Sequence, residues 1–399
     1  MFFKSLILNV LIISVLAVGA AQSAEWKLEP SVSVSTQYND NVGMRTEANN
    51  PVSSTGYTLD PKINIVAEEQ YLWNMSLSTR AKFTRYQDIQ NSDSNNIYMN
   101  LSSGWQTERA MLRLNAGYTR NTNFDDDYDT ESPLAGLIDD KTERETVSFS
   151  PSIRWNLSQT SIVIFSITTT DISYDEVAST SFRDYTNDSA SFQAYWQVLE
   201  KHTLGYTVSY SEQETPDYNY SSDTTVLNLD YTYNINQNSD LKVSLGGRRL
   251  ISLQENSLFF GDLKSEDNGI TYSLSYSNQT ERASNSFNAS RNVVSSSTGS
   301  IQEQRSVNYK FSLKNTEKFT SNLLLDGSEA LTIGAGDSSN DRTRYRVEPS
   351  IYYKLNRDWA LSFKYSYINQ TITDTDEDST SNAVYINLSL NWPKLATTY

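Results

Sequence analysis

Cysteine is absent from this 399-residue chain, and histidine occurs only once. Without cysteine the chain has no disulfide framework, no thiol chemistry and no cysteine-built zinc site. A single histidine removes most of the side chains that enzymes use for proton transfer near neutral pH and for metal binding. These two absences exclude many of the common catalytic and metal-binding arrangements.

Basic residues are scarce relative to acidic ones. The chain has 32 Lys and Arg against 48 Asp and Glu, which gives a formal net charge of −16. A nucleic-acid partner is not expected, because binding to phosphates needs an excess of Lys and Arg. Hydrophobic residues make up only 37% of the chain, yet Tyr 26, Phe 14 and Trp 7 are abundant. This combination predicts a folded structure with a polar interior.

The amino terminus is organised like a secretory signal peptide. Lys4 precedes an apolar run over residues 5–20, and small residues up to Ala24 form a cleavage site. We predict that residues 1–24 are removed and that residues 25–399 form the mature protein. A retained membrane helix is the alternative, but the run is short and no charged flank follows it. No later run of about 18 apolar residues occurs, so we expect no transmembrane helix in the mature chain.

The rest of the chain consists of segments of roughly ten residues in which apolar and polar side chains alternate. A period of two is typical of a β-strand with two different faces. The clearest segments are 71–83, 110–118 and 383–392. In the last of these, one face carries Val384, Ile386, Leu388, Leu390 and Trp392. The opposite faces of these segments are too polar to form a protein core.

Short and long polar connections alternate strictly between the segments. The short turns include 106–109 and 355–358, and the long connections include 121–145, 251–268 and 369–382. Counting the segments between them predicts about 18 strands, with both chain ends on the side of the short turns. An even strand number, short periplasmic turns and long external loops are the requirements of a bacterial outer-membrane barrel.

We therefore predict an all-β, antiparallel up-and-down transmembrane barrel in the outer membrane, in contact with its lipid and lipopolysaccharide. The last strand is expected at 383–392, followed by a short tail at 393–399. Aromatic residues beside the short turns predict a periplasmic interfacial belt, namely Tyr71, Trp105, Trp155, Trp196, Phe319, Trp359 and Trp392. A soluble β-solenoid or sandwich array is the alternative, but neither fold needs aromatic residues at its strand ends.

The polar faces of the strands carry cations and tyrosines that would face the lumen. The candidate pore-lining cations are Lys62, Arg80, Lys82, Arg113, Arg154, Lys242, Arg248, Lys310, Arg344, Arg346 and Lys364. The candidate sugar-stacking residues are Tyr98, Tyr195, Tyr352 and Tyr385. Fewer acidic residues occupy the same polar faces, chiefly Asp60, Asp230, Asp326 and Glu348. A basic wall would favour anionic chains, unless the cations pair with lumen acids and the tyrosines pack against internal loops.

No feature of the sequence predicts catalysis. The one histidine, His202, lies beside a predicted periplasmic turn. No nucleophile elbow, phosphate-binding loop or zinc-protease motif occurs. The acidic stretches 125–131 and 374–378 fall in predicted external loops, where we expect solvated carboxylates rather than calcium ligands. We therefore expect no enzyme activity, no cofactor and no bound metal.

Two short stretches resemble a known family. Residues 28–42 are similar to the opening strand and turn of the outer-membrane β-barrel porins associated with exopolysaccharide-biosynthesis operons. Ser290 and Arg291, with the Ser/Gly loop 295–299 and Glu303, are similar to a late strand end and loop of the same family. The resemblance implies a passive conduit for export of an exopolysaccharide. It also implies a periplasmic polysaccharide-export machinery as a partner.

Two other functions stay open at the level of the sequence. A general or nutrient-specific diffusion porin would need a constriction loop folded into the lumen, for which 121–145 is the candidate. A non-conducting structural or adhesion barrel would have a filled lumen. Conductance separates the last alternative from both kinds of channel.

Overall fold

The computed structural model describes residues 25–47, 50–69, 72–89, 93–122, 142–175, 182–257, 261–296, 298–334, 341–373, 376–392 and 395–398. The predicted signal peptide, residues 1–24, lies outside the described residues. Strands account for most of the described chain, and Pro216–Tyr218 forms a single 3-10 turn. No helix in these ranges is long and apolar enough to cross a membrane.

The barrel is built from 18 strands, and a short strand follows them. Their bounds are β1 (Glu25–Asn39), β2 (Ser54–Glu69), β3 (Trp73–Tyr86), β4 (Ser94–Gln106), β5 (Ala110–Thr122), β6 (Glu143–Asn156), β7 (Ser161–Tyr174), β8 (Tyr185–Leu199), β9 (His202–Thr215), β10 (Tyr220–Asn236), β11 (Ser239–Ser257), β12 (Gly261–Gln279), β13 (Ala283–Ser295), β14 (Ile301–Lys314), β15 (Phe319–Ile333), β16 (Arg342–Lys354), β17 (Trp359–Ile372), β18 (Glu377–Asn391) and β19 (Leu395–Thr398).

Pairing between the first and last long strands closes the sheet into a barrel. Each strand from β1 to β18 is antiparallel to the next, and β1 also pairs with β18. The closing register places Ser31 opposite Asn391 and Asn39 opposite Ala383. Closure removes the sheet edges, which would otherwise leave backbone groups unpaired in lipid. The predicted antiparallel up-and-down barrel of 18 strands is confirmed.

The outer face of the barrel is apolar through the middle of the strands. Val34 lies opposite Leu59, which lies opposite Phe83, and these side chains are 55%, 45% and 38% exposed. The alternate positions, such as Ser33 opposite Asp60, face the lumen. Continuous exposure of large apolar side chains on one face suits contact with lipid rather than water.

Tryptophans surround the end of the barrel that carries the short turns. The exposed members are Trp105, Trp155, Trp196, Trp359 and Trp392. Trp73 lies opposite Trp105 across β3 and β4. Indole rings prefer the boundary between lipid and water, so this belt marks the periplasmic interface. Tyr71, which the sequence also assigned to the belt, lies outside the described residues.

Several external connections are shorter than the sequence predicts, because the strands continue beyond the apolar zone. β11 reaches Ser257 and β12 begins at Gly261, where the sequence predicts a loop over 251–268. β17 likewise extends to Ile372, and β18 begins at Glu377. The loss of apolar alternation marks the point at which a strand leaves the lipid. Backbone hydrogen bonds between neighbouring strands do not require apolar side chains, so the strands stay paired where they extend into water.

The carboxyl end also differs from the expectation. The last long strand begins at Glu377 rather than at residue 383. Leu395–Thr398 then forms β19, which pairs with Glu25–Leu28. These first residues of β1 extend past the last pair between β1 and β18, which involves Ser31. The tail therefore satisfies backbone groups that β18 does not reach.

Candidate functional site

The predicted lumen side chains lie on the inner face of the barrel. They alternate along each strand with the exposed apolar residues of the outer face. Residues at the equivalent inward positions of β8 and β9 form hydrogen bonds with the tip of the β13–β14 hairpin inside the lumen. Cross-strand pairs share this phase, such as Lys62 with Arg80 and Lys364 with Tyr385. The inner-face set is Lys62, Arg80, Lys82, Tyr98, Arg113, Arg154, Tyr195, Lys242, Arg248, Lys310, Arg344, Arg346, Tyr352, Lys364 and Tyr385.

The cations do not form one ring around the lumen. Arg113, Arg154 and Lys242 are exposed near the periplasmic end. Arg344 and Arg346 are buried near the external end of β16. The barrel wall therefore offers cations at different depths, and only some of them can meet the same solute.

Residues from the two ends of the chain meet in one cavity on the inner wall. This cavity of about 410 Å³ is lined by Arg80, Lys82, Tyr352, Lys364 and Tyr385. It spans β1–β3 and β15–β18. The closure between β1 and β18 brings these distant segments together. The cavity combines positive charge with aromatic rings on a wall that faces the lumen.

Lys364, Tyr352 and Tyr385 differ in the contacts that they make within this cavity. Lys364 Nζ lies 3.4 Å from Glu348 Oε1 and 4.2 Å from the centre of the Tyr385 ring. This geometry combines one long ion pair with a cation–π contact. Tyr352 makes no hydrogen bond or ring contact with the part of the chain that the structure describes. The Tyr385 ring is thus partly covered by an ammonium group, whereas the Tyr352 ring has no such contact among the described residues.

Arg80 is held more firmly than Lys364. Its Nε and Nη2 atoms donate to the Asp60 carboxylate at 2.8 and 2.7 Å. Its guanidinium carbon lies 5.3 Å from the centre of the Tyr98 ring. A bidentate pair with a carboxylate fixes the plane of the guanidinium. Arg80 therefore shapes the wall, and part of its charge is already neutralised.

A second cavity continues the first around the wall. It has a volume of about 530 Å³ and shares Asn322, Ser350 and Lys364 with the first cavity. Lys310 also lines it and forms no ion pair or hydrogen bond with any described residue. We call the two connected cavities the inner trough, defined by Asp60, Arg80, Lys82, Lys310, Asn322, Glu348, Ser350, Tyr352, Lys364 and Tyr385.

The outer ends of β13 and β14 form a hairpin that separates from β12 and bends into the lumen, while β14 stays paired with β15 as far as Ile301 opposite Ile333. β12 pairs with β13 only as far as Tyr272 opposite Arg291, although β12 begins at Gly261 and β13 ends at Ser295. β13 and β14 stay paired with each other up to the tip. The wall therefore separates between β12 and β13 above this level, and the hairpin bends inward.

The hairpin tip is hydrogen-bonded to the inner face of β8 and β9. The Gly299 carbonyl oxygen accepts hydrogen bonds from Gln213 Nε2 at 2.5 Å and from Thr215 Oγ1 at 3.2 Å. Asn187 Nδ2 donates to Ser295 Oγ at 3.3 Å. Gly299 has a φ of +76°, and an added Cβ would lie 2.7 Å from Thr215 Cγ2. Glycine fits this position because it tolerates both the left-handed backbone and the close approach.

A buried ion cluster anchors the base of the hairpin. Glu303 Oε2 accepts hydrogen bonds from Arg248 Nη2 and Arg291 Nη2, both at 2.7 Å, and Oε1 accepts one from Arg305 Nε at 3.0 Å. Arg248 also bonds to Asp267 at 2.7 Å. The cluster lies beyond the apolar zone of the barrel. Burial alone would raise the pKa of Glu303, but the hydrogen bonds from Arg291, Arg248 and Arg305 outweigh it and lower the pKa to about 2.

The hairpin changes two expectations from the sequence. Arg248, a candidate pore-lining cation, is buried in the ion cluster at 5% exposure and is directed toward the hairpin. The candidate constriction 121–145 lies mostly outside the described residues, and the inward segment that the structure describes is the tip around Gly299. The role of Gln213 could not be predicted from the sequence, because nothing in its strand indicates a hydrogen-bond partner 86 residues away. Glu303 was marked only by the family resemblance.

The remaining polar candidates lie apart from the trough and hairpin. His202 Nδ1 is 2.8 Å from Tyr231 Oη, and its ring stacks on Tyr233 with 4.8 Å between centres. Within the described ranges, no group of three or more His, Asp or Glu side chains could hold a metal ion. Residues 125–131 and Asp374 of the acidic stretches lie outside those ranges.

The closed sheet, the apolar outer face and the tryptophan belt define the fold as a closed 18-strand β-barrel of the outer-membrane kind. Solved structures with a similar fold include Pseudomonas aeruginosa OccK2 (OpdF) in complex with glucuronate, with 12% identity over 93% of this chain and 98% of that chain and a TM-score of 0.49. A BenF-like porin from Pseudomonas fluorescens Pf-5 has 10% identity over 92% and 99%, with a TM-score of 0.46.

The ferric citrate transporter FecA in the unliganded form has 11% identity over 86% of this chain, with a TM-score of 0.49. This chain spans 60% of the length of that transporter. No family model matches the chain, and no curated protein matches its sequence. Identities this low do not transfer a function.

Proposed function

We propose that this protein is an outer-membrane diffusion channel for small polar solutes. The observation that carries the proposal is the β13–β14 hairpin, whose tip bonds to the inner face of β8 and β9 through Gly299. Barrels of this size enclose an aqueous lumen. A hairpin fixed across part of that lumen narrows the passage, which suits selection of small solutes better than free passage of a polymer.

The charge of the inner trough supports a preference for anionic solutes. Lys310, Lys364 and Lys82 line it, and Glu348 is the one acid within 4 Å of Lys364 among the described residues. Lysine and arginine side chains on a pore wall favour anions over cations. The protein can therefore carry a net negative charge and still present a basic passage.

Liposome swelling with the purified protein tests the channel directly. Liposomes that contain the protein are diluted into isotonic solutions of arabinose, glucose, maltose and maltoheptaose, and the rate of swelling reports solute entry. We expect rapid entry of the monosaccharides and a steep fall toward maltoheptaose. A protein whose hairpin tip, residues 296–300, is replaced by Asn-Gly should admit the larger sugars faster.

Two results would contradict this proposal. No swelling with any monosaccharide would favour a non-conducting structural or adhesion barrel. Equal rates for glucose and maltoheptaose would mean that the hairpin does not restrict the passage. The matched control is Gln193→Ala, because Gln193 lies on the inner face of β8 but accepts its hydrogen bond from Tyr195 rather than contacting the tip.

Export of an exopolysaccharide is the second candidate. It is supported by the tyrosines and lysines of the inner trough and by the family resemblance at 28–42 and 290–303. In this case the protein would act beside a periplasmic export machinery. Released and surface polysaccharide would fall in a strain that lacks the chain and return when the gene is restored. Unchanged polysaccharide with altered uptake of small solutes would exclude this candidate.

Two further parts of the proposal concern the setting of the barrel. The leader 1–24 would be removed after Ala24, which a mass measurement of the mature protein tests. Lipid and lipopolysaccharide would contact the apolar zone and the charges above it. Arg85 and Arg120 lie on the outer face of β3 and β5 above that zone, where each pairs with an acid, Asp93 and Glu143 respectively.

A further inference from the structure

We infer that the inner trough binds a short acidic oligosaccharide, a chain of sugars that carries carboxylates. This inference rests on the proposed channel function and names the class of solute that the lumen would recognise. Three properties of the trough carry it: separated lysines, a tyrosine that makes no hydrogen bond or ring contact among the described residues, and a lining of amides and hydroxyls.

The lysines indicate an extended anionic ligand. Lys310 has no ion pair or hydrogen bond among the described residues, and Lys364 has one acid partner at 3.4 Å. Both can therefore receive a carboxylate. Three strand spacings separate β14 from β17, which places the two lysine positions roughly 14 Å or more apart along the wall. A chain of several sugars can extend between the two positions and place a carboxylate at each lysine.

The aromatic residues indicate that the ligand has a ring with an apolar face. Tyr352 lines the trough, is half-buried and makes no hydrogen bond or ring contact among the described residues. Tyr385 is covered on one side by Lys364 Nζ. A sugar ring presents C–H groups on its face, and a tyrosine ring offers a flat amphipathic surface for them. Binding on Tyr352 would place a neighbouring carboxylate close to the Lys364 side of the trough.

The remaining lining fits sugar hydroxyl groups. Asn322, Ser350, Ser362 and Asn387 line the trough beside Tyr352. Amides and hydroxyls both donate and accept hydrogen bonds, as sugar hydroxyls require. A phosphate or sulfate ion would gain more from a cluster of arginines and would leave the tyrosine and the amides unused. An acidic oligosaccharide uses all three properties.

The test is calorimetric titration of the folded, full-length protein in detergent with trigalacturonate, maltotriose or sulfate as the probe. We expect trigalacturonate to bind and maltotriose and sulfate to bind at least about tenfold more weakly, because maltotriose lacks the carboxylates and sulfate lacks the sugar rings and hydroxyls. Lys310→Gln and Lys364→Gln should each weaken trigalacturonate binding about tenfold. Tyr352→Ala should weaken it about fivefold.

Matched controls come from the other side of the lumen. Lys242→Gln removes an inner-face lysine and Tyr195→Ala an inner-face tyrosine, and neither residue lines the trough. Both controls should bind trigalacturonate as the unchanged protein does. Heat-dependent gel mobility confirms that each variant is a folded barrel, so a loss of binding cannot be attributed to misfolding.

The outcomes separate this inference from the channel proposal. Absence of trigalacturonate binding, equal binding of maltotriose or sulfate, or binding unaffected by the trough variants would overturn the inference. If swelling assays still show solute entry in that case, the channel proposal stands. If trigalacturonate binds with the expected dependence but no solute enters liposomes, the binding site stands and the channel proposal fails.

Discussion

Two cavities on opposite sides of the inner wall differ in charge and in what they contact. β1–β3 and β15–β18 present Arg80, Lys82 and Lys364 to a cavity that faces the lumen. Residues of β8–β10 and β12 instead line a cavity of about 370 Å³ together with the inward hairpin, and none of the described residues that line it is charged. Its lining includes hydroxyls and amides such as Ser211 and Asn228.

This difference separates two tasks within one barrel. The uncharged cavity receives a piece of the chain itself, because hydroxyls and amides such as Gln213 can satisfy the backbone at the hairpin tip without the desolvation cost of buried charge. The charged side stays available to solutes. Charge enters the hairpin only at its base, where Glu303 is surrounded by arginines.

Removing the anchor should have the largest effect on the hairpin. Glu303→Gln removes the carboxylate that Arg248 and Arg291 share, which leaves Arg248 buried with Asp267 as its remaining acid partner. Loss of one partner of a buried ion pair costs about 3–5 kcal/mol. We expect a lower free energy of unfolding in urea and a larger, noisier single-channel conductance.

The control for that variant is Glu329→Gln. Glu329 also pairs with Arg305 but is exposed, so its loss should change stability by less than about 1 kcal/mol. Equal effects of Glu303→Gln and Glu329→Gln would contradict an anchoring role for the buried cluster.

Acid should release the same anchor without a mutation. The pKa of Glu303 falls from an ordinary value of 4.5 to about 2 in the folded protein. Its contribution to stability is therefore complete above pH 4.5 and is lost as the pH falls toward 2. We expect constant conductance from about pH 7 to about pH 5 and a rise only toward pH 2. A rise centred near pH 6 would indicate a different group.

A side chain at the hairpin tip should displace the tip by a smaller amount. In Gly299→Val, the φ of +76° and the contact with Thr215 both disfavour the new side chain. Such backbone strain costs about 1–3 kcal/mol. We expect a wider range of conductance states than in the unchanged protein. Gly327→Ala is the control, because a Cβ there makes an ordinary 3.5 Å contact with Tyr345, and it should leave conductance unchanged.

A charge reversal on the opposite side should alter selectivity and leave the hairpin in place. Lys364→Glu places a second acid beside Glu348 in the trough. We expect the anion-to-cation permeability ratio, measured from reversal potentials in a salt gradient, to fall about fivefold. Conductance noise should not change. An unaltered ratio would show that ions do not pass this side of the wall.

The barrel could be predicted from the sequence, because a strand that crosses lipid must alternate apolar and polar side chains, and this alternation is visible along the chain. The alternation of Val34 with Ser33 and Ser35 indicates a strand with a lipid face and a lumen face. The position of Trp105 and Trp155 beside short turns indicates where the strands meet the boundary between lipid and water. Strand ends outside the lipid were predicted less well. At Ser257 and Glu377 the side chains are polar on both faces, so the periodicity ends before the pairing does.

The lumen was predictable only in part. Alternation assigns Tyr352 and Tyr385 to the inner face, but their place in one cavity with Arg80 depends on closure between β1 and β18. The inward hairpin depends on hydrogen bonds to Gln213 and on the separation of β12 from β13. Contacts of this kind join residues that no local pattern relates, so they emerge only in three dimensions.

The most direct test of the central claim compares single-channel conductance of the unchanged protein with that of the variant in which residues 296–300 are replaced by Asn-Gly. We predict a defined conductance for the unchanged protein and a clearly larger one for the variant, because the tip that bonds to Gln213 and Thr215 is gone. Identical conductance in the two proteins, or none in either, would contradict the account of a channel narrowed by this hairpin.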